Sequence, residues 1–197
     1  MKPGVTASIV AALMMAGVST LGDFLWADVL PRPHPALYGV IHGAIVFLCV
    51  GLILGASARR PLTGAIGAAA IGALASVGFY AFVPFAGYSV MFPLWIGVWL
   101  ALGVLHESLH LRRVALRVAL TRGGLAAIAA GSAFYLVSGI WFPFDPQGWD
   151  FTVHFGAWTI AYFPGFAALL IRTSDFRRRT NPNIGRSGAV VGTNRSD

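Results

Sequence analysis

From Pro61 to Leu105 the chain carries no formally charged side chain. A run of that length is too long for a single helix and too apolar to form the skin of a water-soluble domain. Turn signals at Val83–Pro84–Phe85–Ala86–Gly87 divide it, leaving two segments near the roughly 20 residues that cross a bilayer. The flanking sequence follows the same pattern, with apolar runs separated by short arginine clusters or by aromatic and proline-rich links. Only 11% of residues are charged, against about 25% in an ordinary soluble domain. The sequence therefore predicts an all-α integral membrane protein with six transmembrane helices arranged as three hairpins. The expected helices are 5–22, 36–58, 62–83, 89–110, 123–142 and 151–171, followed by a disordered basic tail, 173–197. The first is read as a retained span, because its length and the lack of an A-x-A site argue against a signal peptide.

Arginine placement predicts the topology. With the N-terminus inside, Lys2, Arg59, Arg60, Arg112, Arg113, Arg117, Arg122, Arg172, Arg177, Arg178, Arg179, Arg186 and Arg195 face the cytoplasm, and Arg32 alone faces out. Both termini are then cytoplasmic. The segment from Arg112 to Arg122 reads as a basic connection lying on the membrane surface. These clusters orient helices and lend no support to nucleic-acid binding. Arginine outnumbers lysine thirteen to one, which with abundant Ala and Gly fits a GC-rich bacterial genome and so a bacterial inner membrane. Cys49 stands alone, excluding an internal disulfide and a CxxC redox pair. No span holds a lysine, which excludes a Schiff-base chromophore.

The three outer links share a layout. GDFLWADVLP with PHPALYGVIHGA, GFYAFVP with YSVMFPLWIGV, and SGIWFPFDP with GWDFTVHFGAW each run from a small residue through aromatics and proline into a returning helix. One reading is a pseudo-threefold parallel repeat about the membrane normal; the other is the periodicity that charge sorting imposes on any six-span chain. Under the repeat, His42 and His154 are equivalent and equally deep, while the matching part of helix 4 holds Trp95 and Ile96. A symmetric three-histidine zinc site is thereby excluded. Helices 3 and 5 carry small residues at every fourth position: Gly64, Ala68, Gly72, Ser76, and Gly123, Ala127, Gly131. Such stripes let backbones approach closely in lipid, and they mark these two helices as expected inner struts.

Two groups of residues have chemical potential. His106, Glu107 and His110 form HESLH, the H-E-x-x-H pattern in which two histidines one turn apart bind zinc and the glutamate activates water. Its third ligand would have to be Asp175; the alternative is a solvated, interfacial helix end. Asp150 and His154 are one turn apart where helix 6 begins, so the carboxylate can orient the imidazole; alternatively, Asp150 caps the helix. His42 and His154 are ionisable groups well within apolar spans, where such groups are functional candidates. No acid or base is expected near mid-membrane, which counts against transport driven by ion gradients. Trp26, Trp141 and Trp149 suit an interfacial aromatic belt, while Trp95, Trp99 and Trp158 lie deeper, either lining a cavity or facing lipid.

With six spans, and YLVSGIWFPFD preceding WDFTVHFGAW, the chain resembles bacterial Insig-like membrane proteins. The resemblance implies a six-helix bundle that binds sterol or diacylglycerol-type lipid, and it assigns no individual residue. The leading expectation is a non-enzymatic protein holding a lipid-like ligand in a cavity open to the outer leaflet. Trp95 and Trp158 would be its walls, and His42, Asp150 and His154 its polar contacts. Its partners would be membrane lipid and, as a homo-oligomer or subunit, other membrane chains. An accessory subunit of a larger complex is one alternative. A haem or zinc protein using His42 and His154 is another. A membrane hydrolase ranks below these, since no GxSxG elbow is present.

Overall fold

Prolines open the first three helices. Pro3, Pro35 and Pro61 each occupy the start of a helix, where the missing N–H is not needed and the fixed φ is already helical. The structure, a computed structural model, describes residues 3–25, 29, 34–110, 116–138 and 149–171. Its helices are α1 (Pro3–Phe24), α2 (Pro35–Ser57), α3 (Pro61–Ala86), α4 (Met91–His110), α5 (Leu116–Ser138) and α6 (Trp149–Leu170). A short 3-10 turn, Gly87–Val90, joins α3 to α4, and no strand occurs among the described residues.

Five of these helices are long and apolar enough to cross a membrane. The exception is α5. It begins with Arg117 and Arg122, and its apolar part is mostly alanine and glycine, which are far less apolar per residue than leucine. The described part of the segment expected to lie on the membrane surface, 116–122, is thus the opening of α5, which begins seven residues before the expected start at 123. Helix propensity explains the difference, since nothing between Leu116 and Arg122 breaks a helix.

The turn between α2 and α3 is unusually tight for one without glycine. Arg60 N–H reaches the Gly55 carbonyl at 2.8 Å and Arg59 N–H reaches that of Ala56 at 3.1 Å. This is the paired bonding of a Schellman cap, and it puts Arg59 at φ 59°, the left-handed position glycine usually takes. A cation there faces the negative end of the α2 dipole, which offsets part of the steric cost. At the opposite end of α3, Gly87 supplies positive φ at no steric cost and donates its N–H to the Val83 carbonyl.

Neighbours in sequence are neighbours in space, and α6 returns to pack on α1, so the helices form a closed antiparallel ring. Glycine decides how closely they meet. A Cβ on Gly51 would strike the Gly64 carbonyl, one on Gly43 the Ser76 hydroxyl, and one on Gly39 the Tyr80 ring. The stripe on α3 therefore has a glycine counterpart on α2. On the other side Gly103 of α4 meets Gly123 of α5, where a Cβ would come within 2.6 Å of Cα. Contacts this close favour association in lipid through dispersion between backbones.

The stripes do what the sequence predicts, yet α3 is not an inner strut. Only 11% of its apolar window is buried. Gly64, Ala65, Ala68 and Gly72 face α2, while Leu62, Ile66, Leu74 and Phe85 are all more than 70% exposed. Small residues mark a seam between two helices, and a seam can lie at the edge of a bundle. The core instead joins α1, α2, α4, α5 and α6 through Met15, Val50, Leu54, Trp99, Leu102, Ala126, Ala130, Tyr162 and Phe166. Trp99 lies against Gly165, which has no side chain to obstruct the indole.

Replacing Gly64 with Val should force α2 and α3 apart, at a cost of about 2 kcal/mol or more. A lowered melting temperature in mild detergent checks this; the exposed control Leu74→Val should leave it almost unchanged.

Candidate functional site

Polar side chains collect at both ends of the ring, and the two ends differ in sign. At the first, Arg122 donates from Nη1 to Glu107 Oε1 at 2.8 Å. It also donates from Nη2 to the carbonyls of Leu169 (2.6 Å) and Ile171 (3.1 Å). One guanidinium thereby joins α4 and α5 to the end of α6, where it satisfies carbonyls that helix geometry leaves open. Ser57 of α2 approaches His106 Nε2 at 3.5 Å, which brings the Arg59–Arg60 turn to this same end.

This arrangement changes the reading of HESLH. His106 and Glu107 are 3% and 7% exposed, so the expectation of a solvated helix end is not met. The spacing places His106 and Glu107 on the inward side of α4, and the buried carboxylate is held by Arg122. His110 Nδ1 donates to the His106 carbonyl at 2.9 Å. Among the described residues, no three His, Cys, Asp or Glu side chains gather to hold a metal ion. Asp175, the expected third ligand, lies outside the described residues. The visible role of Glu107 is to neutralise Arg122.

The opposite end holds a cavity of about 470 Å³, bounded by α1, α2, α3, α4 and α6. Its deeper walls are Val46, Phe47, Val98 and Tyr162, and Phe79, Leu94, Trp95 and Trp158 contribute further apolar surface. Ser19, Asp23, His42, Ser76, Tyr80 and His154 bring polar atoms to the same space. Aromatic stacking makes one wall rigid: Trp158 lies on Tyr162 at 5.3 Å and Trp95 on Phe134 at 5.0 Å. The Tyr162 hydroxyl meets Ser19 Oγ at 3.1 Å, tying α6 to α1 inside the bundle.

Four of the five residues singled out in the sequence, His42, Trp95, His154 and Trp158, line this one cavity. The fifth, Asp150, is the second residue of α6, and its side chain lies outside the described set, as do Trp26, Trp141 and the side chain of Trp149. Trp99, the other deep tryptophan, packs in the core instead of lining the cavity.

The residue the sequence reading missed is Asp23. Read as the residue that ends helix 1, it lies inside the last turn of α1 and accepts a hydrogen bond from Trp158 Nε1–H at 2.7 Å. Its other oxygen is 4.0 Å from His42 Nε2. The approach is possible because Gly22 leaves room: a Cβ there would run into the His42 ring. A carboxylate one turn beyond Ser19 in an otherwise uncharged apolar helix was the available signal. Trp95, 8% exposed, has an indole N–H with no acceptor among the described residues, a shortfall of about 1–3 kcal/mol for a buried donor.

If Glu107 neutralises the partly buried Arg122 and is not a catalytic base, Glu107→Ala should destabilise the protein by about 2 kcal/mol by leaving that charge without its carboxylate. Melting curves should show the loss and should be indifferent to added zinc or chelator; a zinc-dependent shift in the wild type would contradict this role. No protein-family model, no curated protein and no solved structure matches this chain.

Proposed function

We propose that the chain is a non-enzymatic membrane protein that holds an amphiphilic or apolar, lipid-like ligand in the cavity between Asp23, His42, Trp95, His154 and Trp158. The observation that carries this reading is the character of the cavity. It falls within the roughly 300–1,000 Å³ of small-molecule sites, with mostly apolar and aromatic walls and a few convergent polar groups. A lipid-binding six-helix bundle is also what the Insig-like resemblance implies.

We place this protein in the inner membrane of a bacterium as six spans, with α5 as the sixth. The Arg59–Arg60 turn and Arg122 lie at the end away from the cavity, so the positive-inside rule turns the cavity toward the outer leaflet and both termini toward the cytoplasm. The pseudo-threefold arrangement of three hairpins belongs to the same proposal and rests on the shared layout of the outer links in sequence. A second reading, a haem or metal protein, rests on His42 and His154 reaching the same cavity; a visible absorption band in the purified protein would favour it.

The test is lipid mass spectrometry on protein purified in mild detergent. The wild type should retain a stoichiometric amphiphile, or bind one when supplied. Ala75→Phe, which adds a ring to the cavity wall without touching a polar group, should lose it. A wild type that neither carries nor takes up any amphiphile would sink this reading.

A further inference from the structure

The polar side of the cavity sets one carboxylate against two imidazoles, those of His42 and His154. Asp23 lines the space, and no lysine or arginine does so among the described residues; Arg32 lies outside them. Trp158 occupies Asp23 Oδ2, whereas the partner of Oδ1 among the described residues is His42 Nε2 at 4.0 Å, beyond hydrogen-bond range. The carboxylate side chain is 30% exposed and lines the cavity. Phe79, Tyr80, Trp95 and Trp158 line the same cavity, and aromatic ring faces attract cations. An ionisable group within a membrane span marks a functional site by default, and its expected partner is a charge of the opposite sign.

Resting on the ligand-binding reading above, we propose that the cavity selects a protonated amine, with Asp23 Oδ1 as the counter-charge and the aromatic walls as its surround. An ammonium donates up to three hydrogen bonds, and one directed at Oδ1 would supply the carboxylate's missing donor. An anionic headgroup would meet Asp23 with like charge, and among the described lining residues no lysine or arginine compensates it. A neutral alcohol can donate to Oδ1 but leaves the carboxylate's charge unbalanced. The amine can be the headgroup of an amphiphile or a small soluble amine, and both present the same group to Asp23.

The test compares ligands of one chain length on the full protein in neutral detergent, with native mass spectrometry as the readout. Dodecylammonium should bind about tenfold more tightly than dodecanol, in line with a charge-assisted over a neutral hydrogen bond, and dodecanoate should bind weakest. Propylammonium separates the sources: displacement of dodecylammonium at comparable concentration identifies a soluble amine, and failure to displace identifies an amphiphile. Asp23→Asn keeps an acceptor for Trp158 and should erase the preference of amine over alcohol. Trp158→Phe keeps the carboxylate and should retain that preference. Equal binding of amine and alcohol by the wild type, or preference for dodecanoate, would overturn the amine proposal while leaving a lipid-like ligand in place. Binding of none of the three would overturn both readings.

Discussion

Water cannot squeeze these helices together. Their outward faces are leucine, isoleucine, valine and phenylalanine, so parting two helices in a bilayer exposes no more apolar surface to water than before. Cohesion must come from contact itself and from polar groups that have no other partner. Both sources are visible in the ring. Gly51 against Gly64 and Gly103 against Gly123 bring backbones together, while Arg122 ties both α4 and α5 to α6 and Ser19, Tyr162, Asp23 and Trp158 tie α1 to α6.

The same constraint explains why the ring is filled at one end and hollow at the other. Near the arginines, a single guanidinium and its carboxylate draw three helices inward over Leu102, Phe166 and Leu169. Toward the other end the interior is set by large rings, with Trp158 on Tyr162 and Trp95 on Phe134, and rings stacked against one wall leave space before the next. Gly39 and Gly43 widen the effect, because the small face that admits Tyr80 and Ser76 contributes no bulk of its own. The cavity is thus a by-product of aromatic packing that polar groups from α1, α2, α3 and α6 then share.

Elements were far more legible in the sequence than neighbours. Proline positions, the uncharged run after Pro61 and the Val83–Gly87 break locate the helices, because each acts locally on the backbone. His42, Trp95, His154 and Trp158 could be singled out because polar or amphipathic side chains are rare in such spans. Partnerships across the ring were hidden. Nothing in HESLH says that Glu107 will meet Arg122, since the spacing that suits a zinc site equally suits a buried ion pair. Asp23 was passed over because a carboxylate at the end of an apolar run ordinarily marks its exit into water; only the fold shows Trp158 waiting for it. The α3 stripe was correctly read as a contact face, but periodicity on one helix carries no information about which side of the bundle that helix occupies.

One seam of the ring is thinner than the rest. Where α1 passes α2 the helices barely touch, and the closest approach noted there is a bare glycine, Gly22, beside an imidazole. By contrast α2 is locked to α3, and α1 to α6. The ring is therefore held least tightly between its first two helices. For a lipid-like ligand of the kind proposed above, that seam is where a tail too long for the cavity would pass sideways into the bilayer, without its bearer crossing water.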